Sequence, residues 1–285
     1  MSKLLRANFT RLWKSRIFWI GILYTFGIGF LASTTPYRES LEIEGYHPHF
    51  DNYLFTNSLF MPIVCAVFIG LFIGTEYSNG TIRNKIIVGH TRSAVYFSNL
   101  IVSIVAILIM HLTNFVTIVL LGGTLVGNRE MPIAYLIILG LISIVTLIAL
   151  CSFFLLISML IKSKSTASVA AIIISFVFLL VAMSIASSLA QPEYWDAYHL
   201  SFTDESGEVI EESVERQKNP HYITGIKREI YEFLNDFLPG SQMLQLANQE
   251  IDVSKSGVKL SAYSLLIAVS ATACGVFFFR RKNLN

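Results

Sequence analysis

Residues 131–161 read MPIAYLIILGLISIVTLIALCSFFLLISMLI, without one Asp, Glu, Lys or Arg. A helix rises 1.5 Å per residue, and about 20 apolar residues cross the hydrocarbon core of a bilayer. The stretch is long enough for one crossing. Working outward, five more charge-free runs appear, at 17–37, 52–75, 93–128, 165–192 and 260–279. Each holds one spanning helix. The expected fold is therefore all-α and integral to a membrane, with six transmembrane helices. The run 93–128 exceeds what one crossing needs. Its excess falls at Gly122-Gly123, which reads as a helix end, and Pro132 marks the start of the next helix.

Composition points the same way. Charged residues make up 14% of the 285 and hydrophobic residues 54%, where a soluble domain carries roughly 25% charged residues. This excludes a soluble enzyme with a wet surface. It equally excludes a disordered chain, which needs low hydrophobicity and high charge. The first run follows basic residues and precedes Ala32-Ser33, like a signal peptide, but five further spans make cleavage unnecessary. Cys65, Cys151 and Cys274 all lie inside apolar runs, so no disulfide framework is offered.

The net charge of +2 hides a segregation along the chain. With the N-terminus placed in the cytoplasm, the inner segments hold 13 of the Lys and Arg residues and one acid, Glu76. The outer segments hold 8 basic and 18 acidic residues. The positive-inside rule selects this orientation, with both termini cytoplasmic. No basic stripe is left to bind nucleic acid.

The segments outside the spans have their own patterns. In 1–16, Leu4, Leu5, Phe9, Leu12 and Trp13 recur at helical spacing with Lys3, Arg6, Arg11 and Lys14 between them. This predicts an amphipathic helix in the headgroup plane. The outer segment 190–259 is expected to be mainly helical. Within it, Ile223, Ile226, Ile230, Phe233, Leu234 and Phe237 share one face of a helix that Pro239-Gly240 ends. Ser241 reads as the cap of a short apolar helix that dips toward the outer leaflet. Tyr194, Trp195 and Tyr198 suit the outer interface. His47, His49 and Asp51 in loop 38–51 read as a solvated loop in preference to a metal site. Residues 260–285 complete the chain as the last span and a basic tail, after the five spans of 17–189.

Chemistry-bearing residues inside the spans are few. His111 is the only His, Asp, Glu, Lys or Arg in the six runs. Ion-coupled carriers and intramembrane enzymes need such groups at the midplane, so their scarcity argues against both. His111, Asn114 and Thr117 share one helix face. Two readings stay open for them, a polar stripe along a translocation path and interhelical hydrogen bonding. Ala66, Gly70 and Gly74 repeat every four residues, as do Ala182, Ala186 and Ala190, a spacing that lets helices pack closely. No G-x-x-x-x-G-K-[ST] phosphate loop is present.

The segment 76–92, after the second span, carries most information. Gly80-Thr81 opens a short helix, Ile82, Ile86 and Ile87 give it an apolar face, and Gly89 closes it. Apolar residues in so short a loop suggest a docking element.

Here the chain resembles a known family. Glu76-Tyr77-Ser78-Asn79-Gly80-Thr81-Ile82-Arg83 is similar to the coupling segment of ABC-2 type ABC transporter permeases. The N-terminal helix resembles their elbow helix, and the order of elements matches along nearly the whole chain. Phe237-Leu238-Pro239-Gly240-Ser241-Gln242 resembles a segment found in Firmicute members that export peptides. The resemblance implies the permease subunit of an ATP-driven exporter working by alternating access. It implies two copies of a separate ATPase subunit, which carry the ATP and Mg, and no cofactor in this chain. It also implies a second permease, identical or homologous, within membrane lipid. Docking to the ATPase would fall on Glu76, Tyr77, Gly80, Thr81, Ile82, Arg83, Asn84, Lys85 and Ile86. The interface between permeases would fall near Ala66, Gly70, Gly74, Ala182, Ala186 and Ala190. An apolar path suits a hydrophobic or amphipathic cargo, with an antimicrobial peptide first. The alternative is a non-transport sensor or immunity protein that binds a peptide on its acidic outer segment.

Overall fold

The structure, a computed structural model, describes residues 1–161, 163–203 and 209–283, and the side chains of 198–214 fall outside that description. Lys162, counted above among the inner charges, and the ring of Tyr198 therefore lie outside the described residues. Among the described residues six helices are long and apolar enough to cross a membrane.

The chain opens with α1 (Ser2–Trp13) and turns into the first span, α2 (Arg16–Glu42). Two 3-10 turns, Phe50–Tyr53 and Thr56–Phe60, lead into α3 (Met61–Ser78). The short α4 (Thr81–Ile87) joins it to α5 (Arg92–Thr117). A π-helical stretch, Ile118–Gly122, and the single turn α6 (Gly123–Leu125) extend α5. Then come α7 (Ile133–Leu160) and α8 (Lys164–Leu189). Between the last two spans lie strands β1 (Tyr194–Trp195), β2 (Tyr198–Thr203), β3 (Val209–Val214) and β4 (Gln217–Lys218), then α9 (Gly225–Phe237) and α10 (Pro239–Asn248). The last span is α11 (Val253–Arg281).

α3 is the most enclosed span. α8 and α7 pack against it, α2 packs on α5, and α11 lies along α7. In a bilayer, lipid tails are as apolar as leucine, so close packing and hydrogen bonds must hold the helices together. Small residues permit that approach. A Cβ placed on Gly70 would stand 3.0 Å from Ser168 Cα, and one on Gly74 3.0 Å from Lys164 Cα. Ala66, Gly70 and Gly74 are all buried, the two glycines against α8 of the same chain. Ala182 is buried too, Ala186 is half-buried and Ala190 exposed.

Other expectations change. Gly122-Gly123 does not end the helix. The helix widens into a π turn and continues to Leu125, after which Gly127, with φ of 75°, redirects the chain. The small residue is needed at Gly122 because Phe50 Cβ would lie 3.0 Å from its Cβ. Pro132 does precede the next helix, as its N-cap. The segment 190–259 is less helical than expected, because β1–β4 and β2–β3 form two antiparallel ladders, the second with Tyr198 opposite Val214. Ser241 is not a cap. α10 begins two residues earlier with Pro239 at its first position, which suits a residue lacking an N–H, and extended Leu238 links it to α9.

α10 dips into the bundle, and Pro239 through Leu246 are all buried. Gln242 anchors it. Its Oε1 accepts from Thr146 (2.8 Å) and Ser264 (2.6 Å), and its Nε2 donates to the carbonyls of Asp236 (2.6 Å) and Leu260 (3.1 Å). α9 buries none of its residues, leaving Ile226, Ile230 and Phe233 exposed. Asp51 is not solvated either. Its buried carboxylate accepts from the amides of Glu130 and Met131, and its carbonyl accepts from Gln249 at 2.9 Å. The carboxylate thereby holds the turn at Glu130-Met131, and the Asp51 backbone carbonyl holds the end of α10.

Candidate functional site

At one end of the bundle α1, α4, the last turn of α3 and the first turns of α5 converge on Glu76. The Glu76 carboxylate is fully buried. It forms ion pairs with Arg11 of α1 and Lys85 of α4, and accepts from Asn99 of α5 at 2.7 Å. Asn8 of α1 closes the cluster. It donates to Ser98 and Asn99, both at 2.8 Å, and accepts from Lys85 at 2.8 Å. The Arg11 guanidinium also lies 3.8 Å from the Phe72 ring centroid.

The local sequence explains this convergence. α1 places Leu4, Asn8 and Leu12 on its buried face, four residues apart. Gly80, with φ 64°, reverses the chain after α3 and starts α4, which brings Lys85 back to Glu76. Gly89, with φ 97°, ends α4 in a Schellman motif. Its N–H reaches the Ile86 carbonyl at 3.0 Å and that of His90 the Lys85 carbonyl at 3.1 Å. Burial draws the Arg11 pKa down to about 9. Burial and then the charge of Arg11 draw Lys85 down to about 7. The Glu76 carboxylate works against both and makes two enclosed cations tolerable.

A second set of bonds locks the same end. Arg92 donates to the carbonyls of Phe279, Arg280 and Lys282, capping the C-terminus of α11. Tyr77 donates to the Met159 carbonyl at 2.6 Å, where α7 ends, and Lys282 donates to both the Tyr77 hydroxyl and that carbonyl.

The expected docking residues divide accordingly. Glu76, Lys85 and Tyr77 are committed to bonds within the chain, and Ile82 is buried with Ile86 half-buried beside it. The outward side of α4 holds Arg83 and Asn84, and then Ile87 and Val88, which are 70% and 78% exposed. Glu76 and Lys85 are thus enclosed as internal ties, each charge compensating the desolvation of the other. Gly80 and Thr81 start the helix without a contact surface of their own.

The polar stripe in the third span also turns inward. His111 Nε2 lies 3.1 Å from Ser143 Oγ of α7, Asn114 donates to the Thr25 carbonyl of α2 at 3.2 Å, and Thr117 donates to Thr113. All three are buried within the chain, and Thr117 also borders an open cavity between Phe26, Phe30 and Leu120.

Asn8, Arg11, Ser98 and Asn99 escaped the reading of the sequence. Asn8 carried a signal, a polar residue midway between Leu4 and Leu12 on an apolar face. Ser98 and Asn99 did not, because polar residues in spans have many possible partners.

No curated protein sequence gives a significant match to the chain. The sequence model of a family described as "ABC-2 family transporter protein" matches residues 4–182, which is more than half of the chain and includes α1, the Glu76 cluster and α4. The chain belongs to the ABC-2 family of transporter membrane proteins.

Proposed function

We infer that this chain is the permease subunit of an ABC transporter, a membrane-spanning transport component that is not itself catalytic and works with an ABC ATPase subunit. We propose that the ATPase docks on the outward side of α4, through Arg83, Asn84, Ile87 and Val88, on the cytoplasmic face. Two ATPase copies carry the ATP and Mg and drive two permeases, identical or homologous, in export. The observation that carries this reading is the pairing of an exposed apolar tip with an enclosed ionic anchor. α4 offers Ile87 and Val88 to a partner while Lys85 ties it through Glu76 to α1, α3 and α5. A push on α4 therefore moves the inner ends of the spans together, the motion that a switch between inward and outward access needs.

The second permease is proposed to pack on the outward face of α8, a reading supported by the exposed Ile173, Phe176 and Leu180 there. The cargo is proposed to be hydrophobic or amphipathic, with a peptide first, because the spans present apolar surfaces and their described interior holds no Asp, Glu, Lys or Arg at mid-depth.

The test is co-purification with the partner ATPase through a tag on this chain alone. Arg83→Glu and Ile87→Asp should each lower the co-eluting ATPase at least about tenfold, while the melting midpoint of the permease stays unchanged, as expected for exposed positions. Undiminished association in both variants would overturn the docking assignment.

A further inference from the structure

The spans α5, α7 and α11 leave a groove between them with a volume of about 950 Å³. Phe97 and Ile104 of α5, Ile148 of α7 and Ala268 of α11 form its wall. It follows α11 from Leu265 to Arg281, about 24 Å of helix, against a hydrocarbon core of about 30 Å. Arg280 and Arg281 stand at its end, on the same side of the bundle as α4, and no acidic residue lines it. Among the described residues no carboxylate pairs with either arginine. Arg281 is steered by the Phe277 ring, 4.1 Å from its centroid.

We propose that this groove holds an anionic phospholipid, with its acyl chains along the apolar wall and its phosphate on Arg280 and Arg281. Basic pockets between spans at the level of the headgroups select anionic lipids. The length of apolar wall excludes a free soluble anion, which would use only the arginines. A second copy of the chain is a poor match, because the acid it would bring to this end of the bundle, Glu76, is enclosed in its own cluster. The proposal concerns α5, α7 and α11 and stands apart from docking on α4.

The experiment is native mass spectrometry of the full-length protein in detergent, with dioleoylphosphatidylglycerol and dioleoylphosphatidylcholine added separately at equal concentrations. The native protein should retain phosphatidylglycerol preferentially. The Arg280→Gln/Arg281→Gln pair should weaken phosphatidylglycerol retention by about fivefold per arginine and leave phosphatidylcholine unchanged. Both positions are exposed, so the melting midpoint should hold. Ala273→Phe, in the groove wall, should lower retention of both lipids. Equal retention of the two lipids by the native protein, or phosphatidylglycerol retention unmoved by the arginine pair, would overturn the proposal. So would a dimer trapped in native membranes by oxidation of Ala273→Cys in a Cys274→Ser background, since it would seat a second copy in the groove.

Discussion

A single carboxylate, Glu76, meets three neighbouring elements through Arg11, Lys85 and Asn99. Removing one partner from an enclosed ion cluster costs far more than the cluster contributes, because the remaining charges stay buried without compensation. Glu76→Ala leaves two cations facing each other and should lower stability by about 3–5 kcal/mol, read as a fall in the unfolding midpoint of the purified permease. Arg83→Ala, on the open side of the same short helix, should change stability by less than about 0.5 kcal/mol. Equal effects of the two would contradict the placement of Glu76 inside. The sequence marks Glu76 as unusual, as the lone acid among the segments read as inner, but does not reveal its burial. Its burial depends on Asn8, Arg11 and Asn99, which come from separate parts of the chain, and no local pattern announces that they meet.

At the scale of elements, regular periodicity was legible and local exceptions were not. α1, α4 and α9 follow from their apolar spacing, and the ends of α4 from Gly80 and Gly89. The continuation of α5 through Gly122-Gly123 was not legible, because what requires a small residue there is the approach of Phe50 from a distant turn. The β ladders between α8 and α9 escaped for a similar reason, since pairing between Tyr198 and Val214 is set by the partner strand. α10 shows how far a helix short of spanning length enters the bundle. Its depth is stabilised by Gln242, whose amide joins α7, α9 and α11. Gln242→Leu keeps the volume but leaves Thr146 and Ser264 without the acceptor they share. The expected loss is on the order of 2–3 kcal/mol, seen as a lower melting midpoint. An unchanged midpoint would mean that packing alone seats α10.

For the whole molecule, the six spans were legible from charge-free runs alone, and each observed span overlaps its run. The reason is physical: backbone groups in lipid must be satisfied internally, so length and apolarity leave few alternatives to a helix. Which faces meet was not legible, because lipid and protein interior are equally apolar. The close approach of Gly70 and Gly74 to α8 is one such meeting of faces. On the docking proposed above, force enters through the exposed tip of α4 and spreads through the Glu76 cluster to the spans. The most direct test of that docking is photo-crosslinking in cells that express the partner ATPase, with a benzophenone amino acid at Ile87 or Val88 and, as a control at the opposite end, at Ile226. The account predicts crosslinks to the ATPase from Ile87 and Val88 and none from Ile226. Absence of crosslinks from both α4 positions, with the ATPase still bound to the permease, would contradict it.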